Sequence, residues 1–168
     1  QILLHQGDES GIAMIDTVMQ QDPNAIKPGA VLIHEFLMER GRAAEAQPWI
    51  DAWRARDDLE RRAAAERAEF RPKDEYLGHG VDDAQLARLR EGCASLPWLG
   101  KVWLVRKKVE VFPEQPAYLL LAKPRWYKRI KAAKAETELR QALDLADTLT
   151  VAIYSSDLKA LFKRATKA

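Results

Sequence analysis

The apolar run Ala117–Ala122, AYLLLA, constrains the fold of this chain more than any other stretch. The run carries no charge, and the residues before it, Pro113–Pro116 (PEQP), are typical of a turn. A continuous apolar run of this kind predicts a central β-strand that is buried on both faces. The chain must therefore supply further strands beside it and helices that pack on the sheet.

Two further strands are predicted around this run. Residues 101–112, KVWLVRKKVEVF, alternate in the manner of a strand, with Val102 and Leu104 on one face. The short turn that follows makes this strand and residues 117–122 an antiparallel hairpin. Residues 149–156, LTVAIYSS, form the third predicted strand.

Helical patterns separate these strands. Asp82 or Asp83 can cap a helix that ends near Ser95 and that places Leu86, Leu89 and Cys93 on its apolar side. Two more helices are predicted at 135–149 and at 157–165, the second capped by Ser156-Asp157. With a loop at 71–82, residues 71–168 form a small α/β domain of order α-β-β-α-β-α with a three-stranded mixed sheet.

The first third of the chain contains an internal repeat. Gly7 and Gly41 lie 34 residues apart, and at the same offset three residues of one copy match three of the other: Ile12 with Ala46, Ile15 with Trp49, and Met19 with Trp53. This period, with a glycine at the turn between helices and a break at Asp22-Pro23, is that of tetratricopeptide-like helical hairpins. In such a repeat we expect His34, Met38, Trp49 and Trp53 as candidates for a peptide-binding groove, each with core packing as the alternative.

A long helix is predicted to follow the repeat, from Ala43 to about Phe70. Its second half, DDLERRAAAERAEF, is mostly Ala and mixed charge, which favours a solvent-exposed connecting helix. The sequence therefore predicts an α+β protein, with a tetratricopeptide-like helical region over residues 1–70 and the α/β domain over 71–168.

Metal and nucleophile chemistry lack the residues they need. His34-Glu35 begins like the zinc-protease motif His-Glu-x-x-His, but Met38 stands where the second imidazole is required. The other histidines, His5 and His79, form no ligand-spaced pair, and the chain has one cysteine. There is no phosphate-binding loop, no dinucleotide fingerprint and no Gly-x-Ser-x-Gly. We expect no catalytic residue, no metal and no cofactor in this chain.

Charge is unevenly spread along the sequence. Residues 1–100 hold 12 Lys and Arg against 18 Asp and Glu, whereas residues 101–168 hold 15 against 7. Within residues 121–134, LAKPRWYKRIKAAK, cations surround two aromatic residues; the candidate patch is Lys123, Arg125, Trp126, Tyr127, Lys128, Arg129 and Lys131. This pattern suits an anionic membrane surface, and less readily a nucleic acid. The alternative is a solvated loop whose aromatic rings cover the sheet edge.

The order of these features resembles a known family. The segments GDESGIAMID, ERGRAAEA and WLVRKKVEVFPEQPAYLLLA, at residues 7–16, 39–46 and 103–122, are similar to the region C-terminal to the protease domain in bacterial integral-membrane zinc metallopeptidases. That family contains the CAAX prenyl proteases, and the resemblance covers most of the chain. It implies that zinc and the membrane spans belong to an upstream domain of a parent protein, and that this chain is a fragment on the cytoplasmic face of a membrane.

We therefore expect a non-catalytic protein-interaction or regulatory module, the soluble C-terminal part of a membrane-bound zinc metalloendopeptidase. Its partner would be a protein or peptide, including the parent's own protease domain. The alternative is a stand-alone adaptor that binds an anionic membrane surface or nucleic acid through residues 121–134.

Overall fold

The computed structural model describes residue 4, residues 6–143 and residues 149–166. Contacts between residues divide the chain into two compact units, residues 1–64 and residues 65–168. The described residues form six α-helices and four β-strands, which confirms the α+β class. The sequence had placed the division at residue 70.

The first unit is built from helices. Helix α1 spans Ser10–Gln21, a 3₁₀ turn spans Pro23–Ala25, α2 spans Ile26–Glu39, and α3, which begins in this unit, spans Ala43–Ala68. The break after α1 forms because the Asp22 carboxylate accepts the N–H of Asn24 at 2.8 Å, ahead of Pro23.

The two turns at the repeat glycines have the same local structure. Gly7 and Gly41 have φ of 82° and 71°, a conformation that glycine adopts without a steric penalty. The N–H of Gly7 donates to the carbonyl of Leu4 at 2.9 Å, and the N–H of Gly41 donates to that of Met38 at 3.0 Å. The hydrogen bonds of the two turns are therefore equivalent, with both donors and both acceptors 34 residues apart.

The core of the first unit depends on a close approach of α1 and α2. Ala30 and Ile33 of α2 are fully buried, and Gly29 lies against α1. A Cβ atom at Gly29 would lie 2.6 Å from the Met19 sulfur and 2.9 Å from a methyl group of Ile15. Glycine is therefore the residue that lets the two helices pack at this distance.

The second unit is a sheet with helices on its faces. Its elements are β1 (Tyr76–Gly78), α4 (Asp83–Ala94), β2 (Leu99–Lys107), β3 (Ala117–Pro124), α5 (Ala132–Leu143), β4 (Thr150–Ile153) and α6 (Lys159–Ala165). The strand order is β1-β2-β3-β4; β1–β2 and β2–β3 are antiparallel, and β3–β4 is parallel. The sheet is mixed, as predicted.

Strand β3 is the centre of this unit. Leu119, Leu120, Leu121 and Ala122 are at most 1% exposed. Leu120 and Ala122 pack with Leu139 of α5 on one face, whereas Leu119 and Leu121 pack with Phe162 of α6 on the other.

The prediction of three strands in the order α-β-β-α-β-α was wrong. Strand β1 lies inside the predicted loop 71–82, and it is the fourth strand of the sheet. It has only three residues and no visible alternation, and it forms because Tyr76 is buried against the sheet and donates its hydroxyl proton to the Arg71 carbonyl at 2.8 Å. Tertiary packing, which local sequence does not show, makes it a strand.

Several element ends also differ from the predictions. Helix α5 begins at Ala132 and is described to Leu143. Of the rest of the predicted helix, residues 144–148 lie outside the described residues, and Leu149 is not helical. Of the two predicted caps of helix α4, Asp82 and Asp83, the structure has Asp82. Its carboxylate accepts the N–H of Gln85 at 2.7 Å. The Ser156-Asp157 cap was wrong, because a turn extends to Leu158, which holds the cap position of α6 without a side-chain bond.

The end of α3 is held by the ammonium group of Lys107, which is mostly shielded from solvent. Lys107 of β2 donates to the carbonyls of Glu66 and Glu69 at 2.8 and 2.9 Å and pairs with Asp74 at 3.0 Å. Only 11% of the Lys107 side chain and 12% of the Asp74 side chain are exposed. Lys107 therefore satisfies carbonyls that a helix end leaves without partners, and it neutralises a carboxylate that is mostly shielded from solvent.

Replacing Lys107 by Met should destabilise the protein by about 2–4 kcal/mol, because Asp74 and two carbonyls lose their partner. The matched control is Lys108→Met: Lys108 and its partner Glu75 are each 56% exposed, so the cost should stay below about 1 kcal/mol. Urea unfolding of both variants measures the difference. Equal losses in the two variants would contradict a structural role for Lys107.

Candidate functional site

The two histidines that the structure describes, His34 and His79, do not converge on a common site. His34 is half-buried on α2, and His79 follows β1, where its Nδ1 atom accepts the N–H of Val81 at 3.2 Å. His5 lies outside the described residues. Among the residues that the structure describes, no three His, Cys, Asp or Glu side chains are grouped as metal ligands would be.

The four groove candidates have different surroundings. Trp49 and Trp53 are half-buried and pack against the core of residues 1–64, whereas Met38 is 47% exposed. Trp53 lines a shallow open groove of about 480 Å³ with Lys27 and three other residues, and His34, Met38 and Trp49 are not among those that line it. The structure therefore does not gather the four candidates at one surface.

Lys27 covers the face of Trp53 that this groove would offer. Its ammonium lies 5.3 Å from the Trp53 ring centre and pairs with Asp57 at 2.8 Å and Glu60 at 3.1 Å. The hydrogen bond to Asp57 is the main cause of a raised pKa at Lys27, so the charge stays on this ammonium. A ligand at Trp53 would have to share the ring with this cation.

The basic–aromatic residues form one continuous surface, which we name the Trp126 loop, residues 125–131. It follows β3 directly, because Pro124 ends the strand and the Arg125 N–H donates to the Trp98 carbonyl at 2.8 Å. A turn then closes, with the Lys128 N–H donating to the Arg125 carbonyl at 2.9 Å. The half-buried Ile130 packs against the core at the far side of the loop.

The tip of the Trp126 loop projects into solvent. Trp126 is 94% exposed and Tyr127 is 53% exposed, so these rings do not cover the sheet edge. The two rings meet edge to face with their centres 5.6 Å apart, and Arg125 donates to the Tyr127 hydroxyl at 3.0 Å. A tryptophan exposed to this degree, beside a second aromatic ring, is typical of a contact surface.

The cations around these rings are available for an anionic partner. Within the described part of the chain, Lys123, Arg125, Lys128, Arg129 and Lys131 form no ion pair with a carboxylate. All five are exposed. Lys128 lies 6.0 Å from the Tyr127 ring centre, which places charge and aromatic surface side by side.

A groove that sequence reasoning missed lies beside β2. It has a volume of about 690 Å³, and its walls come from α4, β2, Leu120 of β3 and the C-terminal ends of β1 and α6. Leu86, Leu89 and Cys93 form the α4 wall. The sequence showed this apolar stripe, but a stripe alone does not reveal whether a helix packs tightly or leaves a channel, and none of the α4 residues is buried.

The Cys93 thiol lies in the wall of this groove. It is the single cysteine of the chain, and it is half-buried among the groove residues. Burial raises the pKa of the Cys93 thiol, because the low-dielectric surroundings disfavour the thiolate. The thiol therefore acts as an apolar wall residue at neutral pH and not as an activated nucleophile.

Comparisons with protein-family models, with curated proteins and with solved structures find no match to this chain. None of the helices in the described residues is both long and apolar enough to cross a membrane.

The Cys93 thiol should react slowly with a disulfide reagent at about pH 8, because its raised pKa keeps it protonated. We expect the folded chain to react several times more slowly than the urea-unfolded chain at that pH. The ratio should shrink near pH 10, where the unfolded thiol is already ionised and only the folded thiol gains thiolate. A folded-state rate that matches the unfolded rate at about pH 8 would contradict the burial of Cys93.

Proposed function

We propose that this chain is a non-catalytic interaction module that binds an anionic membrane surface through the Trp126 loop. The observation that carries the proposal is the 94% exposure of Trp126 among cations that have no carboxylate partner in the described residues. Tryptophan and tyrosine favour the headgroup region, where the ring is apolar and its polar end stays hydrated. Each Lys or Arg near an anionic bilayer adds about 1 kcal/mol.

The shape of the loop favours a membrane over a nucleic acid. Single-stranded nucleic acids bind along grooves where successive bases stack on aromatic faces. Trp126 and Tyr127 instead stand edge to face, with an interplanar angle of 83°, at an exposed tip. A projecting tip with flanking cations suits a flat, negatively charged surface.

The helices of residues 1–64 support a second part of the proposal, a tetratricopeptide-like region that binds protein or peptide. The turns at Gly7 and Gly41 share the same hydrogen bond, and the residues matched at the 34-residue offset pack into one apolar cluster. Helical repeats of this kind commonly present surfaces to other proteins.

The resemblance to membrane zinc metallopeptidases suggests the larger protein to which this module belongs. We propose that it is the C-terminal part of such an enzyme on the cytoplasmic side, with zinc held only in the upstream domain. A membrane-bound parent would keep the Trp126 loop close to a bilayer. The gene sequence upstream of Gln1 tests this: apolar spans with a complete His-Glu-x-x-His support it, and a start codon close to Gln1 would remove it.

Reversing three charges of the Trp126 loop, with Lys128→Glu, Arg129→Glu and Lys131→Glu, should weaken binding to phosphatidylserine vesicles at least about 100-fold. The matched control reverses the three exposed cations of α6, Lys159, Lys163 and Arg164, which changes the net charge equally. Vesicle co-sedimentation at low and high salt measures both variants. Equal losses in the two variants would show that net charge alone, and not this loop, drives binding.

Replacing Trp126 by Ala should leave the fold unchanged, because the ring makes almost no contact with the core. The variant should bind the same vesicles about 10-fold more weakly, with the loss persisting at high salt since it is not electrostatic. A single-stranded RNA titration is the second arm. Tight RNA binding that needs Trp126, together with vesicle binding that does not, would overturn the membrane proposal in favour of nucleic acid.

A further inference from the structure

The sheet edge beyond β1 is open along part of β2. Strand β1 pairs with β2 only from Tyr76 opposite Lys107 to Gly78 opposite Val105. The chain then turns away at Gly80, whose φ of 64° ends the extended conformation. In the part of the chain that the structure describes, no strand pairs with β2 on this side before Val105.

The backbone groups of Val102 and Leu104 point toward this open edge. The Lys108 N–H donates to the Glu75 carbonyl at 2.9 Å, so even-numbered residues of β2 direct their hydrogen-bonding groups toward β1. Odd-numbered residues of β2 direct their hydrogen-bonding groups toward β3. The register supports this: Ala122, which lies opposite Val102, accepts the Tyr154 N–H at 2.8 Å on the side of β3 that faces away from β2. Two donors and two acceptors at the spacing of a strand ladder are thus presented at the edge.

The missed groove follows this same edge and has apolar walls on both sides of the sheet. Leu86 and Leu89 of α4 line it on one face, and Trp103 and Ala165 line it on the other. An extended chain lying along β2 would therefore meet the strand ladder with its backbone and apolar walls with its alternating side chains.

The charged residues of the groove favour an acidic ligand. Among the described residues that line it, the charged or titratable groups are Arg90, Arg125, His79 and the Cys93 thiol, and none is a carboxylate. Next to the open edge, Arg106 has a buried Nε atom with no hydrogen-bond partner. A second copy of β2 would bring the same cations and be repelled, whereas carboxylates on an incoming strand would be attracted.

We propose that the edge of β2 between Gly100 and Leu104 binds an extended acidic peptide segment of a partner protein, which adds a fifth strand to the sheet. Its backbone pairs with Val102 and Leu104, its apolar side chains occupy the walls, and its carboxylates meet the arginines. The site lies on β2 and α4 and shares Arg125 with the Trp126 loop. The peptide test measures protection of Cys93, whereas the vesicle test changes Trp126, Lys128, Arg129 and Lys131, so the two proposals fail independently.

Cys93 supplies the readout, because it lines the groove and is the single thiol of the chain. The probe is a capped heptapeptide of alternating residues, Val-Glu-Val-Glu-Val-Glu-Val. We expect saturating probe to slow the reaction of Cys93 with a disulfide reagent at least about fivefold. Two control peptides separate the charge contribution from the backbone contribution. One has Lys in place of Glu, and the other has N-methyl groups on the amides that would face β2.

A pair of variants tests the backbone contact directly. Val102→Pro removes an N–H that no described strand accepts, at an edge position that tolerates proline, whereas Val102→Ala shortens the side chain and keeps the N–H. Both should fold, as judged by thermal unfolding, but only Val102→Ala should retain protection by the acidic probe. If Val102→Pro does not fold, the N-methylated peptide carries the same test.

Protection by the acidic probe that is lost with N-methylation, with Lys substitution and in Val102→Pro supports the proposal. Three results would overturn it. The first is the absence of protection at any probe concentration. The second is equal protection by the N-methylated or Lys peptide. The third is protection that rises with protein concentration alone, which would identify a second copy as the occupant.

Discussion

Burial of β3 on both faces is the constraint on which the second unit depends. Leu119, Leu120, Leu121 and Ala122 are at most 1% exposed, so apolar surface must cover each face of the strand. Helix α5 covers one face and α6 the other, while β2 and β4 satisfy the two edges. Because the chain leaves this strand at Pro124, the residues that follow emerge from the edge of the packed core and are presented to solvent.

Strong local patterns let the sequence predict part of this fold. The apolar run of β3 and the alternation of β2 are visible in consecutive residues, and the structure contains the antiparallel pair that they predict. The predicted strand 101–112 was too long, because β2 spans Leu99–Lys107 and residues 108–116 connect it to β3 in place of a short turn. Strand β1 could not be found in this way, since three residues that include a glycine carry no period. Strand β1 exists because it pairs with the edge of β2, and the paired residues Gly78 and Val105 lie 27 residues apart along the chain. It ends early because the chain turns at Gly80.

For the candidate surfaces too, the sequence located some residues and missed others. Composition alone located the cations and aromatic rings of the Trp126 loop, but exposure of Trp126 could not be read from it, because the same rings could have covered the sheet edge. The groove beside β2 was missed, since it arises where one strand ends and a loosely packed helix begins. For Trp49 and Trp53, the alternative of core packing was already open in the sequence, and both rings are half-buried in the core of the first unit.

The most direct test of the account is hydrogen exchange of the whole chain with phosphatidylserine vesicles, compared with neutral phosphatidylcholine vesicles. Membrane binding by the Trp126 loop predicts slower exchange within residues 125–131 with the anionic vesicles only, while amides of β3 and α5 are unchanged. Unchanged exchange throughout residues 125–131, or slower exchange confined to other segments, would show that the Trp126 loop is not the membrane-binding surface.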